Sequence, residues 1–371
     1  MKKIGFLVFA LIVTRAVAPA QQGVTVRNGP ASHSSLSSLL SEADAIVVGT
    51  LRSTSQAGLR VSLDLHVERT IQGPLAVQDE IFVAFDTDSR AFFDPGSITA
   101  LWFLKGNAAN WSALPVVVSS MPSLRDFYLV VPLRAPAAQY QVPDTADPSE
   151  KVIGEIAAAN LTSFDWPWVL GLAKELPNSA SLRLMYRSLA DSPSDSTSGS
   201  LGIAGLILLG ESEGFTRLAG SNLIGLQSSP ATDVVAMAVC ESPRDTAPID
   251  ILGNLLSASA PRLARCAGQV LRGVHTRATL PYLAGLLDNS SSDLRYEGVV
   301  GLASFANNLA VHHGQSSTAS MEWLSPLPGT APYATSETLQ NLPTLQTFRE
   351  KEAQYIGFWK AWWAQNQTSL K

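Results

Sequence analysis

The sequence has little charge, few cysteines and no long apolar stretch beyond its first residues, and each shortage removes a class of function. Only 15% of the 371 residues are charged, against roughly 25% in an ordinary soluble domain. The 26 Lys and Arg are outnumbered by 31 Asp and Glu, for a net charge of −5. Nucleic-acid binding needs a basic footprint that displaces phosphate counterions, and the sequence carries none. It also lacks a polybasic segment for an anionic membrane surface. Mean hydropathy is +0.14, yet the apolar residues are dispersed in short periodic runs. Those after the N-terminus, such as residues 206–209 with their small-residue flanks, are far too short to span a bilayer. Two cysteines, Cys240 and Cys266, are too few for a disulfide framework. An oxidising compartment permits a bridge between them, but sequence sets no separation, and two buried, inert thiols are the expectation.

What is present begins with an export signal. Lys2 and Lys3 precede an apolar run over residues 4–13, and Ala18-Pro19-Ala20 offers small residues at the positions a signal peptidase reads. Such a run rises about 15 Å as a helix, roughly half a bilayer core, so it reads as a signal peptide over residues 1–20 and not as a membrane span. No Cys lies near the cleavage point and no twin-Arg pair precedes it. The mature chain is expected to be exported, periplasmic or extracellular, with no integral membrane segment.

The first half reads as β structure. Residues 36–43 form a brief amphipathic helix, and residues 45–51 a strand. Over residues 60–68, Val61, Leu63, Leu65 and Val67 alternate with Arg60, Ser62, Asp64, His66 and Glu68. That period of two marks a strand buried on one face. Gly73-Pro74 and Asp94-Pro95-Gly96 supply turns around strands at residues 80–85 and 98–104, and residues 111–118 and 127–131 add two more. About six short strands predict a small closed or partly closed barrel over residues 36–133. The run from SEADAIVVGTL through VERTIQGPL to ALWFLKG resembles a domain recurrent in exported bacterial proteins. That resemblance implies an OB-like barrel and no particular activity.

Pro136, Pro143 and Pro148 mark residues 134–149 as a linker, after which apolar spacing becomes helical. Sliding the sequence by 31 residues matches Leu252 with Leu283, Leu255 and Leu256 with Leu286 and Leu287, Leu263 with Leu294, and Leu271 with Leu302. The second copy, with Leu280-Pro281-Tyr282-Leu283, Leu286-Leu287-Asp288 and Asp293-Leu294-Arg295, resembles a HEAT repeat. In the first copy Arg262 and Ala264 replace the motif's Asp and Arg. The resemblance implies about four helix pairs over residues 150–308, stacked as an α-solenoid whose broad surface holds a protein partner. Residues 309–347, rich in Ser, Thr and Pro, read as a loop. Residues 348–366 then form one helix carrying Tyr355, Phe358, Trp359, Trp362 and Trp363 on a wide face. It is expected to dock as a cap; the alternative is an exposed aromatic anchor for a glycan or the envelope.

The fold class is therefore α+β, with two domains. No catalytic, cofactor or metal site is assembled. His66 sits with Asp64 and Glu68 on a polar strand face, and His312-His313 are adjacent imidazoles that point apart; neither supplies converging metal ligands. Trp102, Phe103 and Trp111 read as buried barrel aromatics, the alternative being a ligand platform. Gly210-Glu211-Ser212-Glu213-Gly214 matches the G-x-S-x-G of serine hydrolases, with Asp250, Asp288 or Asp293 and His312 or His313 able to complete the order Ser, Asp, His. The helical surroundings argue instead for a helix-ending turn. The functional expectation is an exported, non-catalytic binding or scaffolding protein, the alternatives being a hydrolase centred on Ser212 and an envelope-contacting aromatic helix.

Overall fold

A computed structural model describes residues 32–33, 35–57, 60–86, 99–107, 110–114, 117–118, 131–133, 135–142, 144–159, 166–313 and 322–370. The signal-peptide region, the 94–96 turn and most of the strand expected at 127–131 lie outside these residues. After a two-residue strand β1 (Ser32–His33), helix α1 (Leu36–Glu42) starts where the Ser35 side chain accepts a hydrogen bond from the Ser38 amide. The strands then follow as β2 (Ala45–Ala57), β3 (Arg60–Gln72), β4 (Glu80–Asp86), β5 (Thr99–Asn107), β6 (Asn110–Ala113), β7 (Val117–Val118) and β8 (Val131–Leu133). Where one strand was expected over 111–118, the chain makes β6 and β7; β7 pairs with β1 in a separate two-stranded sheet. Strands β2, β3, β4, β6 and β5 pair in that order, and β5 returns to β2, which closes the barrel. The β4–β6 contact is parallel and the others are antiparallel.

Alternation decides what fills the barrel. Leu63, Leu65 and Val67 point inward to meet Val47, Leu51, Val83, Trp102 and Trp111, and the Trp102 indole donates to the Gly49 carbonyl at 3.0 Å. Strands β2 and β5 differ from β3 because both of their faces are covered. Ile46, Val48, Leu101 and Phe103 point outward into a second core shared with α1 and the first helices of the other half. That double burial is why AIVV and ALWFL are unbroken apolar runs. Of the three aromatics singled out, Trp102 and Trp111 lie inside the barrel, and Phe103 belongs to this outer junction.

The remaining chain is mainly helical: α2 (Pro148–Ala159), α3 (Trp166–Glu175), α4 (Ala180–Ala190), α5 (Thr197–Leu208), α6 (Ser212–Ala219), α7 (Pro230–Glu241), α8 (Ile249–Leu255), α9 (Pro261–Val274), α10 (Leu280–Leu286) and α11 (Ser292–Asn307). Serine caps begin several of them: Ser179, Ser196 and Ser229 accept from amides in the first turn, and Pro230 and Pro261 occupy first positions where no amide is needed. Adding 31 to the bounds of α8 gives those of α10, and adding 31 to the start of α9 gives that of α11. The paired leucines 252 and 283, 255 and 286, 263 and 294, and 271 and 302 are all buried. Helix α5 packs on α7, α7 on α9 and α9 on α11, with α8 and α10 each covering the helix that follows it.

Three kinds of contact lock this row. Gly205 lets α5 approach α4 closely, since a Cβ there would lie 2.2 Å from the Tyr186 ring, whose hydroxyl donates to the Val169 carbonyl at 2.5 Å. Arg272 of α9 meets Glu297 of α11 at 2.7 Å with both side chains buried. Cys240 of α7 and Cys266 of α9 are joined in a disulfide, with Cα atoms 4.6 Å apart. The expectation of two free thiols is corrected here: neighbouring helices of the row bring the residues within bridging distance, which sequence spacing alone does not reveal. At the turns, Arg262 meets Asp233 and Arg265 meets Asp293, each at 3.7 Å, and Arg295 meets Glu352 at 2.6 Å.

The C-terminal region departs from the expected loop and single helix. Within residues 309–347, β9 (Leu309–His313) and β10 (Glu322–Pro326) form an antiparallel hairpin, followed by α12 (Ser336–Gln340) and the start of α13 (Leu345–Glu350). Alternation in five-residue strands is too short to register against a Ser- and Thr-rich background. The helix expected over 348–366 is broken at Lys351, so Phe348 belongs to α13 and α14 runs over Glu352–Leu370. Tyr355, Trp359 and Trp362 of the aromatic face are buried, while Phe358 and Trp363 keep partial exposure; Phe348 packs on Tyr296 with ring centres 5.3 Å apart, and the Trp359 indole donates to the Asn341 carbonyl at 2.8 Å.

Reducing the Cys240–Cys266 bridge opens a crosslink spanning 26 residues and is expected to cost about 3–4 kcal/mol. A thermal melt with and without reductant reads this, and two titratable thiols in the native, oxidised protein would contradict it. Gly205→Ala drives a methyl into Tyr186 and should cost about 1–3 kcal/mol. Gly171→Ala, with no atom within 4 Å of the added carbon, should be neutral or stabilising by up to about 1 kcal/mol.

Candidate functional site

An open depression of about 330 Å³ lies where the outer surface of β2 and β3 meets the segment read as a linker. Pro136, Ala137 and Ala138 form its apolar side. Ala137 is buried and begins a short 3-10 turn, so this part of the 134–149 segment is packed onto the barrel.

Two charged side chains hold that packing in place. Arg69 sends Nη1 to both carboxylate oxygens of Glu155, at 2.9 and 3.0 Å, and Nη2 to the carbonyls of Ala137 and Tyr140, at 2.7 and 3.1 Å. Its guanidinium also lies 5.1 Å from the centre of the Tyr140 ring. Glu155 comes from α2 and is 1% exposed, so Arg69 supplies its charge compensation inside the junction. Burial, then the neighbouring Glu155 carboxylate, pushes the Tyr140 phenol well above its ordinary value, which keeps it protonated. Glu68 accepts from the Ala137 amide at 2.5 Å and from the Thr50 hydroxyl. On the far side of the same junction, the Glu175 carboxylate accepts from the Leu36 amide at 2.6 Å, at the start of α1.

The remaining groups face the depression. His66 is not on a fully solvated strand face: its side chain is 14% exposed and its Nδ1 lies 2.7 Å from Glu80. Arg52 sits at a bulge where the β2–β3 register slips between Leu51 and Ser53, a device that re-aims a side chain. Its exposed guanidinium makes no ion pair or hydrogen bond among the described residues. Gln78 adopts a φ of +76° at the rim, a conformation uncommon outside glycine. Among the described residues no three His, Cys, Asp or Glu side chains converge as metal ligands.

Set against protein-family models, curated proteins and solved structures, the chain matches none.

The G-x-S-x-G segment folds as a turn between helices. Gly210, at φ +74°, ends α5, and Ser212 is the exposed first residue of α6. The acids on either side of it brace α6 against α4. Glu211 meets Arg183 at 2.6 Å, and Glu213 meets Arg187 and Arg217 at 2.7 and 2.9 Å, which lowers the Glu213 carboxyl below its usual range. The three aspartates that might have completed a triad are engaged elsewhere. Asp250 accepts from the Tyr282 hydroxyl at 2.9 Å, Asp288 pairs with Lys360, and Asp293 lies 3.7 Å from both Arg265 and Arg349. The side chains of His312 and His313 lie outside the described residues.

Sequence reasoning passed over Arg52, Arg69, Tyr140 and Glu155. A signal existed for two of them. Arg69 continues the parity of Val61, Leu63, Leu65 and Val67, although the register slip between Val48 and Gly49 turns it out to the junction, and Glu155 falls among the buried Val152, Ile153 and Ile156 of α2. Two opposite charges on two apolar faces are what a buried pair looks like in sequence. Replacing Arg69 by Met should cost about 3 kcal/mol or more because Glu155 is left without its cation, while adding Glu155→Met should recover much of the loss. Denaturant unfolding of the wild type, both single variants and the double variant reads the coupling; additive losses would contradict it.

Proposed function

We propose that this chain is an exported binding or scaffolding protein whose helical half is a HEAT-like solenoid presenting a surface to a protein partner. The observation that carries the reading is the 31-residue correspondence between the α8–α9 and α10–α11 pairs, with each member of the α5, α7, α9 and α11 row packed on the next. Repeats of that kind bury one side against their neighbours and leave the other side broad and accessible. The charge contacts at successive turns, Arg262 with Asp233 and Arg265 with Asp293, support the same reading. The barrel's strand order, closed through a parallel β4–β6 contact, favours the OB-like assignment for the first half. Export is supported by the Lys2-Lys3 and Ala18-Pro19-Ala20 pattern together with the disulfide, which persists in oxidising compartments. No helix among the described residues is long and apolar enough to cross a membrane.

Amine-reactive crosslinking of the intact mature chain in an envelope extract tests the proposal. A protein partner joined repeatedly through Lys174 or Lys360, surface lysines on α3 and α14, is the expected result. Labelling by a fluorophosphonate that Ser212→Ala abolishes would overturn it in favour of a hydrolase.

A further inference from the structure

We infer that the depression between the barrel and the 136–138 turn is a binding site for a small carboxylate carrying an adjacent N–H or O–H group, with Arg52 as its anion-binding residue. The inference is independent of the solenoid reading and rests on which groups in the depression are already engaged. Both oxygens of Glu68 accept bonds from within the protein, from the Thr50 hydroxyl and the Ala137 amide. Both terminal nitrogens of Arg69 are directed at Glu155, Ala137 and Tyr140. Arg52 is the lining cation with no acidic partner among the described residues, and the bulge beside it turns Arg52 and Ser53 outward together. A guanidinium presents a planar fork of N–H donors that a carboxylate matches with two parallel bonds.

The surrounding charge selects a carboxylate over a phosphate. Glu68 lines the depression and Glu80 stands behind His66. A dianion placed against Arg52 would meet two nearby negative charges, whereas a single carboxylate is balanced by one guanidinium. His66 adds a second determinant. Its Nδ1 is directed at Glu80, which leaves Nε2 as the ring nitrogen without a partner in that contact, and His66 lines the depression. In the tautomer that donates from Nδ1 to Glu80, Nε2 is an acceptor, which suits an N–H or O–H next to the carboxylate. Pro136 and Ala137 supply an apolar wall for a small side chain, and the volume lies at the low end for small-molecule sites. A free N-acylated amino acid and the C-terminal residue of a peptide both carry this combination of groups.

Calorimetric titration of the intact mature chain with N-acetyl-alanyl-alanine and with its C-terminal amide tests the site. The free acid is expected to bind in the millimolar range or tighter, about what so small a ligand achieves. The amide should bind at least about tenfold more weakly, the loss expected for one charge-assisted contact. Arg52→Ala should weaken the acid by a similar factor without changing the melting temperature, and Arg52→Lys should fall between. N-acetylalanine binding as well as the dipeptide assigns a free small acid; a tenfold preference for the dipeptide assigns a peptide terminus. Equal binding of acid and amide, full affinity in Arg52→Ala, tighter binding of inorganic phosphate than of the acid, or no binding of the acid would each overturn the inference.

Discussion

The structure depends on apolar helix faces that no single helix pair can bury. Helix α5 shows the constraint most plainly: ten of its twelve residues, from Gly199 to Leu208, are buried, so it needs cover on more than one side. Helices α4, α6 and α7 supply it. The same demand then passes along the row to α9 and α11, each of which leaves an apolar face for the next element. A row of this kind has two ends, and both must be closed. At one end α11 is covered by α12, α13 and α14, with Phe348, Trp359 and Trp362 filling the contact. At the other, the first helices rest against the outer face of the barrel.

That second closure explains why the barrel has two kinds of strand. Strands β2 and β5 serve two cores at once, inward through Val47 and Trp102 and outward through Ile46, Val48 and Phe103. Strand β3 keeps a polar outer face because only its last turn of chain meets the helices, through Arg69 and Ile71. The Arg69–Glu155 contact ties the barrel to α2, and it does so with groups whose separation would strand a buried charge. The depression beside it is a by-product of this joint, which places Arg52 against a wall made by the connecting segment.

Elements with strong, long periodicity were legible in the sequence. The alternation through Leu63, Leu65 and Val67 and the 31-residue spacing of the leucines each reflect a repeated geometric demand that many residues obey together. The Gly210 turn was legible because a positive φ narrows the choice of residue. The disulfide was not, because the 26-residue separation of its cysteines says nothing about which helices become neighbours. The β9–β10 hairpin was hidden by short strands of mixed composition, and the break at Lys351 by an aromatic spacing that continues across it. At the candidate site the legibility was lowest. Arg69 and Glu155 lie far apart in sequence and acquire meaning only when the barrel and α2 are brought together, and Arg52 is singled out only by a bulge.

Amide hydrogen exchange on the intact protein and on its Trp359→Ala variant measures the central claim most directly. Removing a fully buried indole from the cap costs about 3–5 kcal/mol, and in a row of mutually covering helices that loss is felt first by the nearest neighbours. The account predicts faster exchange in α10 and α11, a smaller increase in α9, and little change in α5 or in the barrel. Unchanged protection in α11, or a uniform increase across the whole chain, would contradict it.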